Sequence, residues 1–266
     1  MKLGVAYNVF DGEELLESSI EAIRGVVEHV NVVYQTVSNF GNPCAPGLKR
    51  MLYGLRERKL VDDLYEYAPD LGKRVCVNEV GKRNLGLQIA KTHGCTHFLS
   101  MDCDEFYDRS EMALAKEYIE QCHIEASACC VLGYIKEPVF QYQGGTAYVP
   151  FIAKIHPRSR IRLGMPFPLS TDATRRLNGD RKFFLFRRKF HLFPREELVM
   201  HHMGLVRRDI FVKYQNSTAN DGGADSQKLL DFARRVQNWR FGDKLIHING
   251  EEITVVRVDA KFNIHL

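Results

Sequence analysis

The stretch Phe98-Leu99-Ser100-Met101-Asp102-Cys103-Asp104-Glu105-Phe106 joins an apolar run to two aspartates one residue apart. The run reads as a buried strand, and alternate side chains of a strand point to one side. Asp102 and Asp104 can therefore aim two carboxylates at one point beyond the strand's C-terminal end. Hard divalent cations favour such oxygen ligands, and Mg²⁺ sites commonly combine one or two carboxylates with substrate phosphates. Crevices at the carboxyl ends of strands are also where open α/β sheets bind ligands. Aspartates after a strand serve equally as turn formers or helix N-caps, so the neighbouring sequence has to decide. Just upstream, residues 82–94 place Leu85, Leu87, Ile89 and Ala90 on one apolar face and end at Gly94, a residue suited to stop a helix. This pattern predicts a helix that starts at Lys82 and Arg83 and leads directly into the aspartate strand. Helix N-termini and basic side chains both favour phosphate. The expectation is a metal-dependent site for a phosphate-bearing substrate.

Outward from this centre, residues 3–7 read as a first buried strand. A helix follows from the acidic turn Asp11-Gly12-Glu13-Glu14, with Leu15, Leu16, Ile20, Ile23 and Val27 on one face, and residues 30–34 form a second strand. A β-α-β start predicts a parallel sheet. Residues 36–49, rich in Pro, Gly and Asn, read as a loop. Helix is expected over 48–71 with a break near Lys59, then a short strand over 74–78. Ser110 is expected to open a helix with Met112, Leu114, Ala115, Tyr118 and Ile119 on its face. Strands follow over 126–135 and within 137–155. Residues 158–195 are dense in Arg, Lys, Phe and Pro without clear period. Residues 198–207 read as a short strand or turn carrying His201-His202, and 208–216 as helix. Another helix runs to about Trp239, and 245–258 form a hairpin turning at Asn249-Gly250.

The whole chain of 266 residues is 45% hydrophobic and 26% charged, an ordinary globular composition. No linker divides it, so a single domain over 1–266 is expected, with functional halves at 1–110 and 111–216 and a helix-and-hairpin extension at 217–266. A net charge of +4 suits an anionic substrate and is far from that of a nucleic-acid-binding tail. Seven cysteines without a Cys-x-x-Cys pair argue for reduced, mostly buried thiols and a cytoplasmic location. The N-terminal apolar run is too short for a signal peptide, and no run of about 18 apolar residues spans a membrane.

Three segments together resemble nucleotide-sugar glycosyltransferases of the A-type fold, most closely the large family 2 group. They are the opening strand with Asn8 and its acidic turn, Lys82-Arg83-Asn84 with its helix followed by Asp102-Cys103-Asp104-Glu105, and Met200-His201-His202-Met203-Gly204 through Arg207, Lys213 and Asn216. The first two cover about the first 110 residues. The resemblance implies a Rossmann-like, mostly parallel sheet flanked by helices, binding a nucleoside diphosphate sugar. It implies Mn²⁺ or Mg²⁺ held against the diphosphate, with Asp104 the direct ligand and Asp102 contacting the ribose or a metal-bound water. It further implies that His202 or His201 completes the metal site and that Tyr7 and Asn8 contact the nucleotide. Lys82 and Arg83 would lie near its phosphates. Arg207 and Lys213 would stabilise charge on the leaving diphosphate.

The sequence departs from this family in two places. Val9-Phe10-Asp11-Gly12 is inserted before Glu13, and the acidic pair that often supplies the inverting enzymes' base does not follow the Asp-x-Asp. Asp172, Asp180, Glu196 and Glu197 are the carboxylates left for that role, with Asp172 preferred because it lies in a polar Ser-Thr-Asp break; a loop-capping role fits it too, and a retaining mechanism stays open. The acceptor is a glycan or another hydroxyl compound. Two other readings compete. One is a nucleic-acid-binding module, or an enzyme with a nucleic-acid acceptor, using the basic 175–193 region. The other is a sugar-phosphate nucleotidyltransferase, for which residues 8–14 lack the Gly-rich basic loop.

Overall fold

Every residue of the first strand, β1 (Leu3–Val9), is buried, as a strand covered on both faces requires. In the computed structural model, which describes residues 1–143, 147–178, 189–217 and 226–264, the chain continues as α1 (Glu13–Ile23), β2 (His29–Tyr34), α2 (Leu48–Glu57), β3 (Asp63–Glu66), α3 (Val75–Thr92) and β4 (His97–Asp102). The four strands are parallel in the order β4-β1-β2-β3. Alternation along β1 serves two cores. Leu3, Val5, Tyr7 and Val9 pack with Leu16, Ile20 and Ile23 of α1 and Leu52 and Leu55 of α2. Ala6 packs with Leu87 and Ala90 of α3 on the opposite face. α3 lies close against the sheet, because a Cβ on Gly86 would stand 2.5 Å from the Ala6 Cβ.

The second half adds β5 (Glu105–Phe106), α4 (Arg109–Gln121), β6 (Ala126–Ile135), β7 (Glu137–Gln143), β8 (Tyr148–Lys154), β9 (Phe190–Leu192) and β10 (Val199–Leu205). It ends with α5 (Ile210–Gln215), α6 (Ser226–Asn238), β11 (Leu245–Ile246) and β12 (Glu252–Arg257). The sheet runs β11-β12-β7-β6-β8-β4-β1-β2-β3. β8 joins β4 antiparallel, and β6 is antiparallel to both β8 and β7. β10 runs parallel to β6 and antiparallel to β5, pairing His202 with Glu105. That pairing returns the His-His segment to the aspartates. The fold is α/β, a central sheet flanked by helices, with the expected C-terminal helix and hairpin at one edge. Phe232, Val236 and Trp239 of α6 pack with Leu245 of β11.

Three local expectations are corrected. The helix expected over 48–71 does break near Lys59, which adopts a left-handed φ of 60°, but it stops at Glu57 and does not resume: residues 63–66 are β3. The N–H groups of Lys59 and Leu60 bond back to Arg56 and Leu55, closing the helix end. The 74–78 segment, strand-like in its Val75-Cys76-Val77 composition, is instead the first turn of α3. Lys82 and Arg83 therefore stand mid-helix and not at its N-terminus. α4 is capped by Asp108, whose carboxylate accepts from the N–H groups of Ser110 and Glu111, and not by Ser110. Gly94 does follow α3 with φ 68°, as expected of a helix-ending glycine. All seven cysteines are free. No helix among the described residues is long and apolar enough to cross a membrane.

Candidate functional site

A cavity of about 190 Å³ opens at the C-terminal ends of β1 and β4 and beside the start of β5, where the loop after β2, the buried face of α3 and the β10–α5 segment meet. Parallel pairing puts Asn8 of β1 beside Asp102 of β4. The Asn8 amide donates to Ser100 Oγ at 3.1 Å and to the Met101 carbonyl at 3.2 Å. Its Oδ1 is buried without a partner.

Each aspartate is gripped by two cations. Arg83 donates one N–H to Ser100 Oγ at 2.8 Å and spans both Asp102 oxygens at 3.0 and 3.1 Å. Arg175 also bonds Asp102, and it donates to Glu105 at 2.8 Å. Burial opposes ionisation of Asp102, but Arg175 and Arg83 outweigh it and hold the carboxyl at about 2. Asp104 receives Arg207 and, at 2.8 Å, Lys213 on its Oδ2. Burial again raises its pKa, and Lys213, Arg207 and His202 pull it well below the usual carboxylate range. Lys82 donates to Gln35 Oε1 at 2.6 Å and stands 3.3 Å from Glu79. Gly12, at φ 74°, lets Arg207 approach; a Cβ there would lie 2.0 Å from the guanidinium.

The other oxygen of Asp104 is placed differently. Its Oδ1 stands 3.6 Å from His202 Nε2, beyond hydrogen-bonding reach. Burial lowers the His202 pKa, with Asp104 opposing, to about 4. The ring is therefore neutral near pH 7, the form that ligates a metal.

Of the residues expected from sequence, Asn8, Lys82, Arg83, Asp102, Asp104, Asp172, His202, Arg207 and Lys213 line this one cavity. Two do not. Tyr7 points to the opposite face of the sheet, fully buried, with its hydroxyl 2.9 Å from Ser19 Oγ. His201 alternates away from His202 along β10; its Nδ1 stands 2.8 Å from the Tyr134 hydroxyl and its ring packs on Phe262. Both are corrected to packing roles. Asp172 caps a short 3₁₀ turn over Ala173–Arg175, accepting from the Thr174 N–H at 2.8 Å. Of the other carboxylates considered for the base, Glu196 and Glu197 are exposed, and Asp180 lies outside the described residues.

The sequence reading missed Arg175, Glu79, Gln35, Ser38 and Asn39. Glu79 lies one turn before Lys82 on α3, a spacing visible only once the helix is known to begin at Val75. Arg175 was grouped with the basic 175–193 run, of which 179–188 lie outside the described residues. The run's described cations face protein groups. Arg175 bonds Asp102 and Glu105, Arg176 donates to Thr171 and the Met165 carbonyl, and Lys189 donates to the Cys122 carbonyl. No described cation of the run stands as an open nucleic-acid patch.

No family model matches the sequence, and no curated protein matches it. Solved structures similar to this one include S. aureus TarS, at TM-score 0.45 and 11% identity, covering 89% of this chain and 43% of that one. TarS 1–349 in complex with UDP is similar at TM-score 0.35 and 17% identity, covering 51% of this chain and 36% of that one. A mannose-1-phosphate geranyltransferase from Thermus thermophilus is similar at TM-score 0.31 and 13% identity, covering 55% of this chain and 50% of that one. The chain thus spans half or less of each of these structures.

Proposed function

We propose that this protein is a metal-dependent glycosyltransferase that moves a sugar from a nucleoside diphosphate sugar to an acceptor hydroxyl. The observation that carries the reading is the convergence of Asp102, Asp104 and His202 with Lys82, Arg83, Arg207 and Lys213 in one cavity at the strand ends. Those cations are already committed, since five carboxylates (Asp11, Glu79, Asp102, Asp104 and Asp172) line the same cavity. A diphosphate entering there needs further positive charge. Asp104 Oδ1 and the neutral His202 Nε2 fit that requirement as the protein donors to a divalent cation. An imidazole ligand favours Mn²⁺ over Mg²⁺, which prefers oxygen throughout. When bound, the cation neutralises charge developing on the leaving diphosphate as a Lewis acid.

The chain's own residues do the rest. Arg83 and Arg175 fix the Asp102 carboxylate, whose free surface faces the cavity. Lys213 and Arg207 hold Asp104 through its Oδ2 and leave Oδ1 for the cation. Asn8 lines the cavity beside Asp102 and would shape the nucleotide's seat. An adjoining cleft of about 380 Å³ shares Phe10, Asp11 and Arg207 with the cavity and gives the acceptor its approach. Asp172, exposed at the cavity rim, is held below the usual carboxylate range by Arg175 and Arg83, and in an inverting reaction it would take the acceptor proton. The test is a panel of nucleoside diphosphate sugars, assayed for Mn²⁺-dependent release of the nucleoside diphosphate. One donor should be hydrolysed slowly without acceptor and faster with the right one. No turnover of any donor, with or without metal, would end the reading.

A further inference from the structure

We propose a second cation site, at the opposite end of the parallel sheet, formed by His29, Asp63 and His93 and suited to a borderline transition cation such as Zn²⁺. Register fixes its place. His29 opens β2 and pairs with Gly4 at the start of β1, while Asp63 opens β3 beside Asn31. The candidate functional site lies at the other ends of these strands, on the order of 20 Å away for strands of this length. His93 caps the C-terminus of α3, where the helix returns to that edge. Three elements distant in sequence therefore deliver one donor each, so the cluster is a product of the fold and not of a local motif.

The side chains converge. His29 Nε2 and His93 Nε2 lie 2.9 and 2.8 Å from the same oxygen, Asp63 Oδ2. The two rings stack with centroids 4.1 Å apart and planes 23° from parallel. All three ligand atoms lie within 4.8 Å of one another. His29 is buried, and its other nitrogen has no partner; the polar contact of this ring is directed at Asp63. Two imidazole nitrogens and a carboxylate oxygen are the donor set of open zinc sites, with a fourth position left to water. Zinc bond lengths of about 2.0–2.2 Å put tetrahedral donors about 3.4 Å apart. To coordinate one ion, the nitrogen–oxygen separations have to open by about half an ångström, and the exposed His93 ring has to turn out of its stack on His29 so that both lone pairs meet at the ion. The imidazoles exclude Mg²⁺ and Ca²⁺ as preferred occupants, since both select oxygen ligands.

The test is calorimetric titration of metal-free protein with Zn²⁺, wild type against His93→Ala. His93 is exposed and lies outside the cavity at the strand ends, so the variant should fold and keep its basal activity. The expected result is one Zn²⁺ equivalent fewer in the variant, or that equivalent bound about 100-fold more weakly or worse, beyond the loss expected from an outer partner. Anomalous scattering at the zinc edge from soaked crystals should place an ion between His29, Asp63 and His93. Equal zinc uptake by the two proteins, no uptake by the wild type, or an ion only at Asp104 would overturn the proposal. None of these outcomes depends on whether the other site transfers a sugar.

Discussion

Arg83 illustrates how much of the site rests on single side-chain geometry. Its guanidinium reaches Ser100 and both oxygens of Asp102 at once, a planar fork that a lysine cannot reproduce. Arg83→Lys should keep the charge yet loosen Asp102, leaving Arg175 as its remaining clamp. Nucleoside diphosphate affinity should fall about tenfold, the effect of one lost charge-assisted hydrogen bond of ~1.5 kcal/mol. Titration calorimetry measures the first quantity and urea unfolding separates it from any loss of stability; unchanged affinity would make Arg83 a structural clamp alone. The aspartates that Arg83 serves were legible in the sequence, because an apolar run and its terminal carboxylates are a local pattern. Arg175 was not. Its partner Asp102 lies 73 positions away, and its neighbours Arg176, Arg181 and Lys182 give it the look of a solvated run. Tyr7 differs for another reason: a strand end places alternate residues on opposite faces, and it is Asn8 that lines the cavity.

At the scale of elements, α3 and β10 decide whether a site forms. The sequence marks α3 by its second half, where Leu85, Leu87, Ile89 and Ala90 give the apolar face. Its first half, Val75-Cys76-Val77, carries strand-like β-branched residues, and packing against the sheet overrides that preference. Hence Lys82 and Arg83 act as cations on a buried helix face and not through the helix dipole. The close approach of α3 to β1 has a measurable consequence. Exposed helical Gly→Ala changes normally stabilise by about 1 kcal/mol. Gly86→Ala should do the reverse, destabilising by ~1–3 kcal/mol, since the new Cβ meets Ala6 of β1 at 2.5 Å. Equilibrium urea unfolding reads the sign directly, and a stabilised variant would contradict the tight helix–sheet contact. β10 was legible as a short strand or turn, but its pairing with β5 is a long-range choice that no local pattern encodes. The Met203 N–H donating to the Asp104 carbonyl at 2.7 Å locks that return.

The molecule as a whole carries the Asp102–Asp104 cavity at one end of the sheet and several buried ionisable groups elsewhere, and its stability must follow pH accordingly. His97, at the start of β4, is held at about 4 by burial and then by Lys154. In the unfolded chain it protonates near 6.5. A depressed folded pKa means the unfolded state binds the extra proton first. The contribution is therefore fully present above pH 6.5 and is lost as pH falls to about 4. The wild type should lose up to ~3 kcal/mol over that window from this group, and His97→Gln should lose correspondingly less, as judged from urea midpoints at pH 7 and pH 4.5. Identical pH dependence in the two proteins would mean His97 is charged in the fold. The cavity combines four committed cations with five carboxylates, so a diphosphate entering it would be short of positive charge without a divalent cation. The most direct test is calorimetric titration of a panel of nucleoside diphosphates into the wild type and Asp104→Asn, each with Mn²⁺ and with chelator. One nucleotide should bind the wild type with Mn²⁺, and chelator or Asp104→Asn should remove most of that binding. Equal binding of the nucleotide in all of these conditions, or binding of none to the wild type with Mn²⁺, would contradict it.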